Sequence, residues 1–327
     1  MIKYAHITGT GSYAPERVLT NLDLEKMVDT SNDWIVSRTG IKQRHLVENG
    51  TASSDLATQA SKKALAKAGL DPKDIDLILL ATVTPDQPLP STACLLQDKL
   101  GASRAAVMDV VAACSGFVYN LSIAKAMIQT GQAENVLVVG VETLSKLVNW
   151  NDRNTCVLFG DGCGAAVVQA KDEPGGILST YMRSNGSLAE LLTVPAGGGK
   201  IPLDAETIKN GARYINMVGP EVYKNAVKAM NEAGLSVLDR AGLRGEDIKL
   251  MIPHQANIRI IDSTAKRLRI PMERVYVNIH DYGNTSAASI GIAMDEAMGK
   301  NMIEKGDKVL LVAFGAGFTW GSVIVEF

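Results

Sequence analysis

A cysteine, a histidine and an asparagine occupy the positions of this chain best suited to covalent chemistry. Cys114 lies in the segment VMDVVAACSGF, where an apolar strand is predicted to turn into an apolar helix. A thiol at such a turn faces free backbone N–H groups and the positive end of the helix dipole, which lower its pKa. The sequence therefore predicts a nucleophilic thiolate at Cys114.

The other three cysteines are predicted to be structural. Cys94 falls within a predicted helix, Cys156 precedes an apolar stretch, and Cys163 lies in the run GDGCGAAVV. Free cysteines in such places are usually small buried hydrophobes. The C-x-x-C spacing is absent, and a chain of 327 residues rarely depends on a disulfide framework. We expect neither a metal site nor disulfides.

An internal repeat relates the two ends of the chain. Residues 65–77 (LAKAGLDPKDIDL) and 238–250 (LDRAGLRGEDIKL) share the pattern L-x-x-A-G-L-x-x-x-D-I-x-L at an offset of 173 residues. The segments 135–139 (NVLVV) and 308–312 (KVLLV) match at the same offset. Because two separate segments match at one offset, which is about half the chain, the sequence predicts a duplicated half.

Each half shows the same predicted order of elements after a helix that ends at Gly69 or Gly242. A strand, a helix, a second strand, a helix of small residues and two final strands follow. Their ranges are 75–81, 91–100, 105–111, 115–130, 136–140 and 163–169 in the first half, and 248–252, 257–268, 274–278, 285–299, 308–313 and 320–326 in the second. The alternation predicts a largely parallel sheet covered on both faces.

The predicted domains are 1–171 and 172–327, with the glycine- and proline-rich stretch 184–213 as a loop near their boundary. A pseudo-two-fold axis between such halves would produce a layered α/β/α/β/α body. It would bring Cys114 next to Asn284, which opens the matching helix in YGNTSAAS, while His254 reaches in from a strand end in IPHQAN. His6, His45 and His280 are read as ordinary surface or core residues.

Two glycine-rich segments call for different readings. The segment 9–14 fits G-x-G-x-x-A, but Pro15 follows where a dinucleotide-binding helix would begin, so a nicotinamide site is rejected. The segment 314–321 (FGAGFTWG) is predicted to be a turn between the last two strands. Its backbone N–H groups could face a substrate oxygen.

The composition is that of a globular protein with a large core: 46% of residues are hydrophobic, 21% are charged, and the net charge is −2. This charge gives no general attraction to nucleic acid. No run approaches the ~18 apolar residues of a membrane span, and the first residues do not read as a signal peptide. We expect a soluble, cytoplasmic protein without nucleic-acid or membrane partners.

Six motifs in order resemble those of β-ketoacyl-[acyl carrier protein] synthase III, a family of thiolase-fold condensing enzymes. They are NDWIVSRTGI at 32–41, ACSGF around Cys114, FGDGCGA at 159–165, HQAN from His254, GNTSAAS around Asn284, and FGAGFTWG at 314–321. The resemblance implies a thiolase-like, duplicated, five-layered α/β/α/β/α fold with pseudo-two-fold symmetry. A histidine–asparagine pair, in place of two histidines, favours the initiating type.

The resemblance also implies a reaction. An acyl-CoA acylates Cys114, malonyl-[acyl carrier protein] loses CO2 while His254 and Asn284 donate hydrogen bonds to its thioester oxygen, and the carbanion attacks the acyl group. The products are 3-oxoacyl-[acyl carrier protein], CoA and CO2, and no cofactor is required. The backbone N–H groups of Cys114 and Ala316 form the second oxyanion hole. Alanine there, where glycine is more usual, needs a turn that accepts a Cβ.

Further contacts carry over from the family. Trp34 and Arg153 resemble the pair that sandwiches the adenine of CoA, and Phe314 resembles the aromatic residue that shields the catalytic pocket. A basic face would receive the acidic carrier protein. The remaining CoA-tunnel residues are Arg38, Gly219 and Asn257, and the docking residues are Lys224, Arg259, Lys266 and Arg267.

The acyl pocket is implied to be closed by a partner subunit of a homodimer. Leu89, in PLPSTAC, occupies a position often held by phenylalanine. A slimmer side chain there leads to the hypothesis that primers longer or more branched than acetyl are accepted.

Three other functions remain open at this point. A related ketosynthase of secondary metabolism or long-chain condensation would use another acceptor, which a carrier-protein dependence test would reveal. A cysteine hydrolase built on Cys114, His254 and Asn284 would act without a malonyl donor. A non-catalytic acyl-binding protein is disfavoured by the intact triad.

Overall fold

Two β-sheets organise residues 3–327, the part of the chain that the computed structural model describes. The described strands are β1 Tyr4–Tyr13, β2 Val18–Thr20, β3 Gln43–His45, β4 Leu77–Ala81, β5 Ala106–Val110, β6 Asn135–Thr143, β7 Asp161–Lys171, β8 Gly176–Ser184, β9 Leu192–Thr193, β10 Asn216–Met217, β11 Leu250–Pro253, β12 Lys308–Gly315 and β13 Thr319–Glu326. The described α-helices are α1 Asn21–Leu24, α2 Asn32–Thr39, α3 Ser53–Ala68, α4 Thr92–Leu100, α5 Gly116–Gln129, α6 Ala205–Lys209, α7 Gly219–Ala241, α8 Ile258–Leu268, α9 Ile279–Tyr282 and α10 Ser289–Gly299.

The two large sheets have matching orders, β1-β7-β6-β4-β5 and β8-β13-β12-β11. In each sheet a parallel core, β6-β4-β5 or β12-β11, continues into antiparallel partners. The expectation of largely parallel sheets was therefore wrong. Only the turn 316–318 joins β12 to β13, and a connection of three residues can join only antiparallel strands.

Alternation along the strands divides the apolar residues into layers. In β4, Leu77 and Leu79 face the central helices α5 and α10, while Ile78 and Leu80 face α3 and α4. In the second sheet, Leu311 faces the central helices and Leu310 faces α7 and α8. The order α3/α4, sheet, α5/α10, sheet, α7/α8 confirms the five-layered α/β/α/β/α fold.

The predicted helices recur at the expected places, and both repeat-defining helices end where predicted. Gly69 and Gly242 cap α3 and α7 in the left-handed conformation, with φ of 68° and 66°. The same 173-residue offset relates two strained turns, because Ala113 has φ 45° and Ser286 has φ 47°. The duplication therefore extends to single backbone dihedral angles.

One predicted strand is wrong. Within 274–278 only Val275 forms a bridge, with Met251. The side-chain amide of Gln255 forms the hydrogen bonds that a neighbouring strand would otherwise supply. It donates to Tyr276 O at 3.1 Å and accepts from Asn278 N at 3.1 Å. Strands β1 and β8, which lie at corresponding edges of the two sheets, were not predicted.

The stretch 184–213 is mostly irregular, as expected, with β9 and α6 as short elements. The domain limits 1–171 and 172–327 stay a prediction. In residues 3–327 no helix combines the length and apolar character needed to cross a membrane.

The two halves meet closely where α10 crosses β7. A Cβ added to Gly291 would lie 2.8 Å from Gly164 Cα and 3.1 Å from the Phe117 ring. Backbone lies against backbone here, so neither glycine can be enlarged without separating the helix from the sheet.

We expect Gly291→Ala to lower the free energy of unfolding by about 1–3 kcal/mol, the usual cost of overpacking. Gly299→Ala, at the end of the same helix, is the matched control, because its added Cβ meets nothing within 4 Å. Denaturant unfolding of both variants checks this. Equal stabilities would contradict the close contact between Gly291 and Gly164.

Candidate active site

Cys114 lies on a turn that both halves of the chain hold in place. The turn Ala113–Ser115 follows β5 and leads directly into α5. Ser115 Oγ donates to Thr319 O at 3.0 Å, and Thr319 Oγ1 donates to Ala112 O at 2.8 Å. A Cβ on Gly315 would lie 2.6 Å from the Cys114 nitrogen, so β12 backs the cysteine directly.

The surroundings of the Cys114 thiol oppose ionisation. Its pKa is raised to about 12, chiefly by burial and also by the charge of Glu142, while the Ser286 hydroxyl and the backbone N–H of Cys114 act in the opposite direction. The expected lowering of the pKa at the helix start was wrong for this structure. Desolvation by the apolar cavity wall outweighs the helix terminus.

His254 follows β11 and is buried, with 3% of its surface exposed. Its Nδ1 lies 2.7 Å from Ser289 Oγ. Burial lowers its pKa to about 3, so the imidazole is neutral throughout the physiological range. A neutral imidazole donates from one nitrogen only, so the tautomer decides which ring nitrogen is the hydrogen-bond donor.

Ser289 is the hydrogen-bond partner that bears on that tautomer. The Gln255 N–H points to Ser289 Oγ at 3.4 Å, so this oxygen already receives one donor. We assign the hydroxyl hydrogen to His254 Nδ1, which would place the ring hydrogen on Nε2. In that tautomer His254 presents an N–H donor to the cavity that it lines.

Asn284 is fixed by backbone and side-chain bonds. Its N–H donates to Leu158 O at 2.8 Å, and its C=O accepts from Gly160 N at 3.0 Å. Its Oδ1 accepts from the Ser286 N–H at 2.9 Å. Since the amide oxygen is occupied, the Nδ2 group is the free end, and it is a donor.

Two cavities meet at Cys114. The narrower, of about 120 Å³, is lined by Cys114, His254 and Asn284 and continues past Gly219 and Asn257. The wider, of about 250 Å³, is apolar and is lined by residues that include Leu147, Ile215 and Ala316. The structure thus brings the three predicted chemical residues to one cavity and opens a second, apolar one behind the cysteine.

The turn 314–321 has the form that Ala316 needs. Its positive φ angles fall on Gly317 and Phe318, at 74° and 46°, and not on Ala316. Phe314 is 6% exposed and packs edge-on against Phe318, with ring centroids 5.1 Å apart. It lines the narrower cavity, and its shielding role stays a prediction.

Two arginines lie over the Trp34 ring. The Arg153 guanidinium lies 4.8 Å from the ring centroid and that of Arg38 lies 4.9 Å from it. An adenine between Trp34 and Arg153 would need two stacking distances, roughly 7 Å. The arrangement therefore places the predicted residues together, but Arg153 must swing outward before a purine fits.

Asn257 is largely committed to the protein. Its Oδ1 caps α8 through Arg259 N at 2.9 Å, and its Nδ2 donates to Arg38 O at 3.0 Å. Gly219 lies in the cavity wall at the start of α7. The predicted docking residues are all exposed on the adjacent helices α7 and α8: Lys224, Arg259, Lys266 and Arg267.

Leu89 projects from the loop between β4 and α4 and is 85% exposed. The wider cavity is lined by other side chains of this chain. The single chain therefore leaves a large apolar side chain uncovered.

Three buried residues of this region were not singled out from the sequence: Glu142, Ser286 and Ser289. The serines lie in GNTSAAS, three positions apart on the turn that enters α10. Glu142 ends the apolar run NVLVVGVE, and an acid that closes a buried strand was the available signal. Among the described residues, no group of three or more His, Cys, Asp or Glu side chains is arranged to hold a metal ion.

Comparisons with known proteins agree with these motifs. Residues 108–186 match the family model described as 3-oxoacyl-[acyl-carrier-protein] synthase III, and residues 238–327 match its C-terminal model. A β-ketoacyl-[acyl-carrier-protein] synthase III of Caldanaerobacter subterraneus subsp. tengcongensis is 55% identical, over 98% of this chain and 97% of its own.

Two solved structures show the same fold. The 3-oxoacyl-[acyl-carrier-protein] synthase III of Aquifex aeolicus has a TM-score of 0.91 and 50% identity, over 99% of this chain and 100% of its own. The priming β-ketosynthase of the R1128 polyketide pathway has a TM-score of 0.92 and 33% identity, over 100% and 97%. The chain that carries Cys114 therefore belongs to the β-ketoacyl-[acyl-carrier-protein] synthase III family of condensing acyltransferases.

Proposed function

We propose that this chain catalyses the initiating condensation of fatty acid synthesis, from an acyl-CoA and malonyl-[acyl carrier protein]. The supporting observation is the meeting of two cavities at Cys114. One holds His254 and Asn284, and the other is apolar and fits an acyl chain. Cys114 would hold the acyl group as a thioester between the two half-reactions, which splits one difficult step into two.

His254 and Asn284 would stabilise the enolate of the malonyl group. When the C–CO2 bond breaks, its electrons flow onto the thioester oxygen, and two donors must already point there. The Nε2–H of His254 and the Nδ2 of Asn284 are the free donors of the cavity. Because the pKa of His254 is lowered to about 3, the imidazole donates a hydrogen bond without protonating the carbanion.

A second oxyanion forms when the thiolate or the carbanion attacks an acyl carbonyl. We assign its stabilisation to the backbone N–H groups of Cys114 and Ala316, both of which line the wider cavity. Backbone donors are fixed by the fold, so they need no reorganisation during the reaction.

Loading and decarboxylation can be separated by mutation. We expect Cys114→Ala to form no acyl adduct with any acyl-CoA, because the nucleophile is absent. His254→Ala should still be acylated but should release CO2 from malonyl-[acyl carrier protein] about 10²–10³-fold more slowly. Intact-protein mass spectrometry and CO2 release measure the two steps.

Ser289→Ala is the finer variant, because it removes the tautomer-setting hydroxyl and leaves the imidazole in place. Decarboxylation should fall by about tenfold while acylation of Cys114 persists. Thermal unfolding controls for folding. Acyl transfer to Cys114→Ala, or decarboxylation by His254→Ala at the wild-type rate, would refute the assigned roles.

Acyl-CoA would enter along Trp34 and the narrower cavity. Adenine would replace Arg153 on the Trp34 face, with Arg38 stacked on the same indole, and the pantetheine arm would pass Gly219 and Asn257. A π face and a planar guanidinium both suit a purine.

The carrier protein would dock on α7 and α8. Lys224 and Arg267 are exposed on these helices, and the cavity leading to Cys114 opens beside them at Gly219 and Tyr223. Arg259 and Lys266 are partly engaged, with Ser37 O and Asp262 at 2.9 and 2.7 Å. A local basic face on a chain of net charge −2 would attract an acidic partner.

We expect Lys224→Glu combined with Arg267→Glu to raise KM for malonyl-[acyl carrier protein] at least tenfold. The expected rate with malonyl-CoA is unchanged, because that donor does not use the basic face. Lys62→Glu combined with Lys73→Glu, both exposed on or just after α3, is the charge-matched control. An equal loss with both donors would contradict docking at α7 and α8.

A homodimer would form through β5. This strand is the edge of the first sheet, and the neighbouring Met108, Val111 and Leu89 are 41%, 78% and 85% exposed. An exposed edge with apolar side chains is a template for strand pairing. Pairing two copies there would cover Leu89 and could place it in the partner's acyl pocket, where primers larger than acetyl would fit.

Met108→Lys should shift the protein from dimer to monomer in light scattering and weaken discrimination among acyl-CoA primers. Met182→Lys is the matched control, because Met182 lies on edge strand β8 of the second sheet and is 43% exposed. A Met108→Lys variant that remains dimeric would exclude β5 as the interface. Equal adducts from acetyl-CoA and isobutyryl-CoA would leave the primer hypothesis unsupported.

Because the chain is also similar to a polyketide priming ketosynthase, a carrier protein of polyketide synthesis is a second candidate acceptor. Carrier proteins from fatty acid and polyketide synthesis, tested side by side as malonyl donors, distinguish the two. A cysteine hydrolase would instead release free acid from acyl-CoA without any malonyl donor.

A further inference from the structure

Glu142 is a buried carboxylate that the proposed reaction leaves unused. It is the penultimate residue of β6, and none of its surface is exposed. Its oxygens accept from Thr84 Oγ1 at 2.7 Å, Val83 N at 3.1 Å and Thr82 Oγ1 at 3.3 Å. The fourth donor, Ser286 Oγ at 3.1 Å, comes from the other half of the chain.

The position of Glu142 follows from the duplication. At the 173-residue offset its counterpart is Gly315, where an added Cβ would lie 2.6 Å from the Cys114 nitrogen. By the same offset, the strained Ser286 is the counterpart of Ala113, the residue before Cys114. The two equivalent strands therefore end at different groups. The end of β12 lies against Cys114, and the end of β6, which carries the Glu142 carboxylate, lies against Ser286.

Ser286 borders both the carboxylate and the thiol. It lines the wider cavity together with Cys114, and its hydroxyl lowers the pKa of that thiol. The same hydroxyl donates to Glu142 Oε1. Its backbone N–H is held by Asn284, so the residue has little freedom to turn away.

We propose that Ser286 passes the thiol proton of Cys114 to Glu142 when the cysteine is acylated. As the S–H bond breaks, its proton goes to Ser286 Oγ and the Ser286 hydroxyl proton goes to the Glu142 carboxylate. The sulfur electron pair attacks the acyl-CoA carbonyl, and CoA leaves as the thiolate. When condensation later expels the Cys114 thiolate, the proton returns by the same route. This inference rests on the proposed function of Cys114.

Buried charge explains why this route is favoured. Releasing the thiol proton to solvent would leave two negative charges, sulfur and carboxylate, in one dry site. Passing the proton to Glu142 keeps one negative charge in the site. That charge moves from the carboxylate to the sulfur. The residues that face Glu142 from the loop after β4 supply hydroxyls and a backbone N–H, and none of these groups carries a charge. Cys114, which shares a cavity with Ser286, is therefore the titratable group on that side.

Burial raises the pKa of Glu142 to about 7, while Thr84, Val83 and Ser286 oppose the shift. A proton acceptor must be ionised, so the acylation rate should rise with pH through about 7 and level off above it. Glu142→Gln should lose this inflection.

The test is single-turnover acylation of Cys114 by acyl-CoA without a malonyl donor, followed by mass spectrometry between pH 5.5 and about 9. Ser286→Ala should acylate about 10²-fold more slowly, the usual contribution of a general base. Its decarboxylation of malonyl-[acyl carrier protein] should match the wild type, because the Ser286 N–H that orients Asn284 remains. Glu142→Gln should also acylate slowly.

Alkylation by iodoacetamide distinguishes proton transfer from simple repulsion. Since the Glu142 charge raises the pKa of Cys114, Glu142→Gln should alkylate no more slowly than the wild type. Slow acylation together with undiminished alkylation supports the relay. Faster acylation by Glu142→Gln, or acylation by Ser286→Ala within twofold of the wild type, overturns it.

Glu296→Gln is the matched control, because Glu296 also accepts from several side chains, namely Tyr276, Tyr282 and Asn278, without lining either cavity. It should acylate normally. Parallel losses of acylation, decarboxylation and thermal stability in Ser286→Ala would show a structural role and overturn the relay. Failure of the wild type itself to be acylated would instead refute the proposed function.

Discussion

The close backbone contact between strand ends and turns at the pseudo-two-fold axis determines the rest of this site. Gly315 at the end of β12 lies against the Cys114 nitrogen, and Gly140 in β6 lies against the Ala287 carbonyl. A side chain at either glycine would separate the halves. Because β6 and β12 each reach the opposite half's turn, the nucleophile and its partners are fixed relative to one another by backbone geometry, which is stiffer than any side-chain contact.

Desolvation follows from that closeness and shapes the chemistry. The cavity wall around Cys114 is mostly apolar, so each ionisable group near it is shifted towards its neutral form: the pKa values of Cys114 and Glu142 rise and that of His254 falls. A site of this kind works with neutral hydrogen-bond donors and keeps the number of charges constant. Oriented dipoles in a dry cavity stabilise a developing oxyanion better than mobile water does.

Much of this arrangement could be predicted from the sequence. The 173-residue offset, the capping glycines and the apolar runs fixed most helices and core strands, and the motifs around Cys114, His254 and Asn284 identified the family. Local pattern did not show that β7 and β13 run antiparallel to their neighbours, because the apolar run of a buried strand reads the same in either direction. Nor could it show that Gln255 takes the hydrogen bonds of the expected strand at 274–278, because that competition is tertiary.

The prediction of a lowered pKa for Cys114 was wrong for a related reason. A helix start is visible in the sequence, but the depth at which it is buried is not. The roles of Ser286, Ser289 and Glu142 likewise depend on which hydroxyl meets which ring or carboxylate in the folded chain. Such pairs separate by more than 30 residues along the chain and carry no periodic signal.

Arg153 lies over Trp34, in the position proposed for adenine, and would compete with CoA for it. An internal group is always present at a high effective concentration, so it would lower the affinity of that position for CoA without blocking it. After acyl transfer, the returning guanidinium would help to expel the spent nucleotide. The proposed CoA site would then be free for the arm of the second substrate.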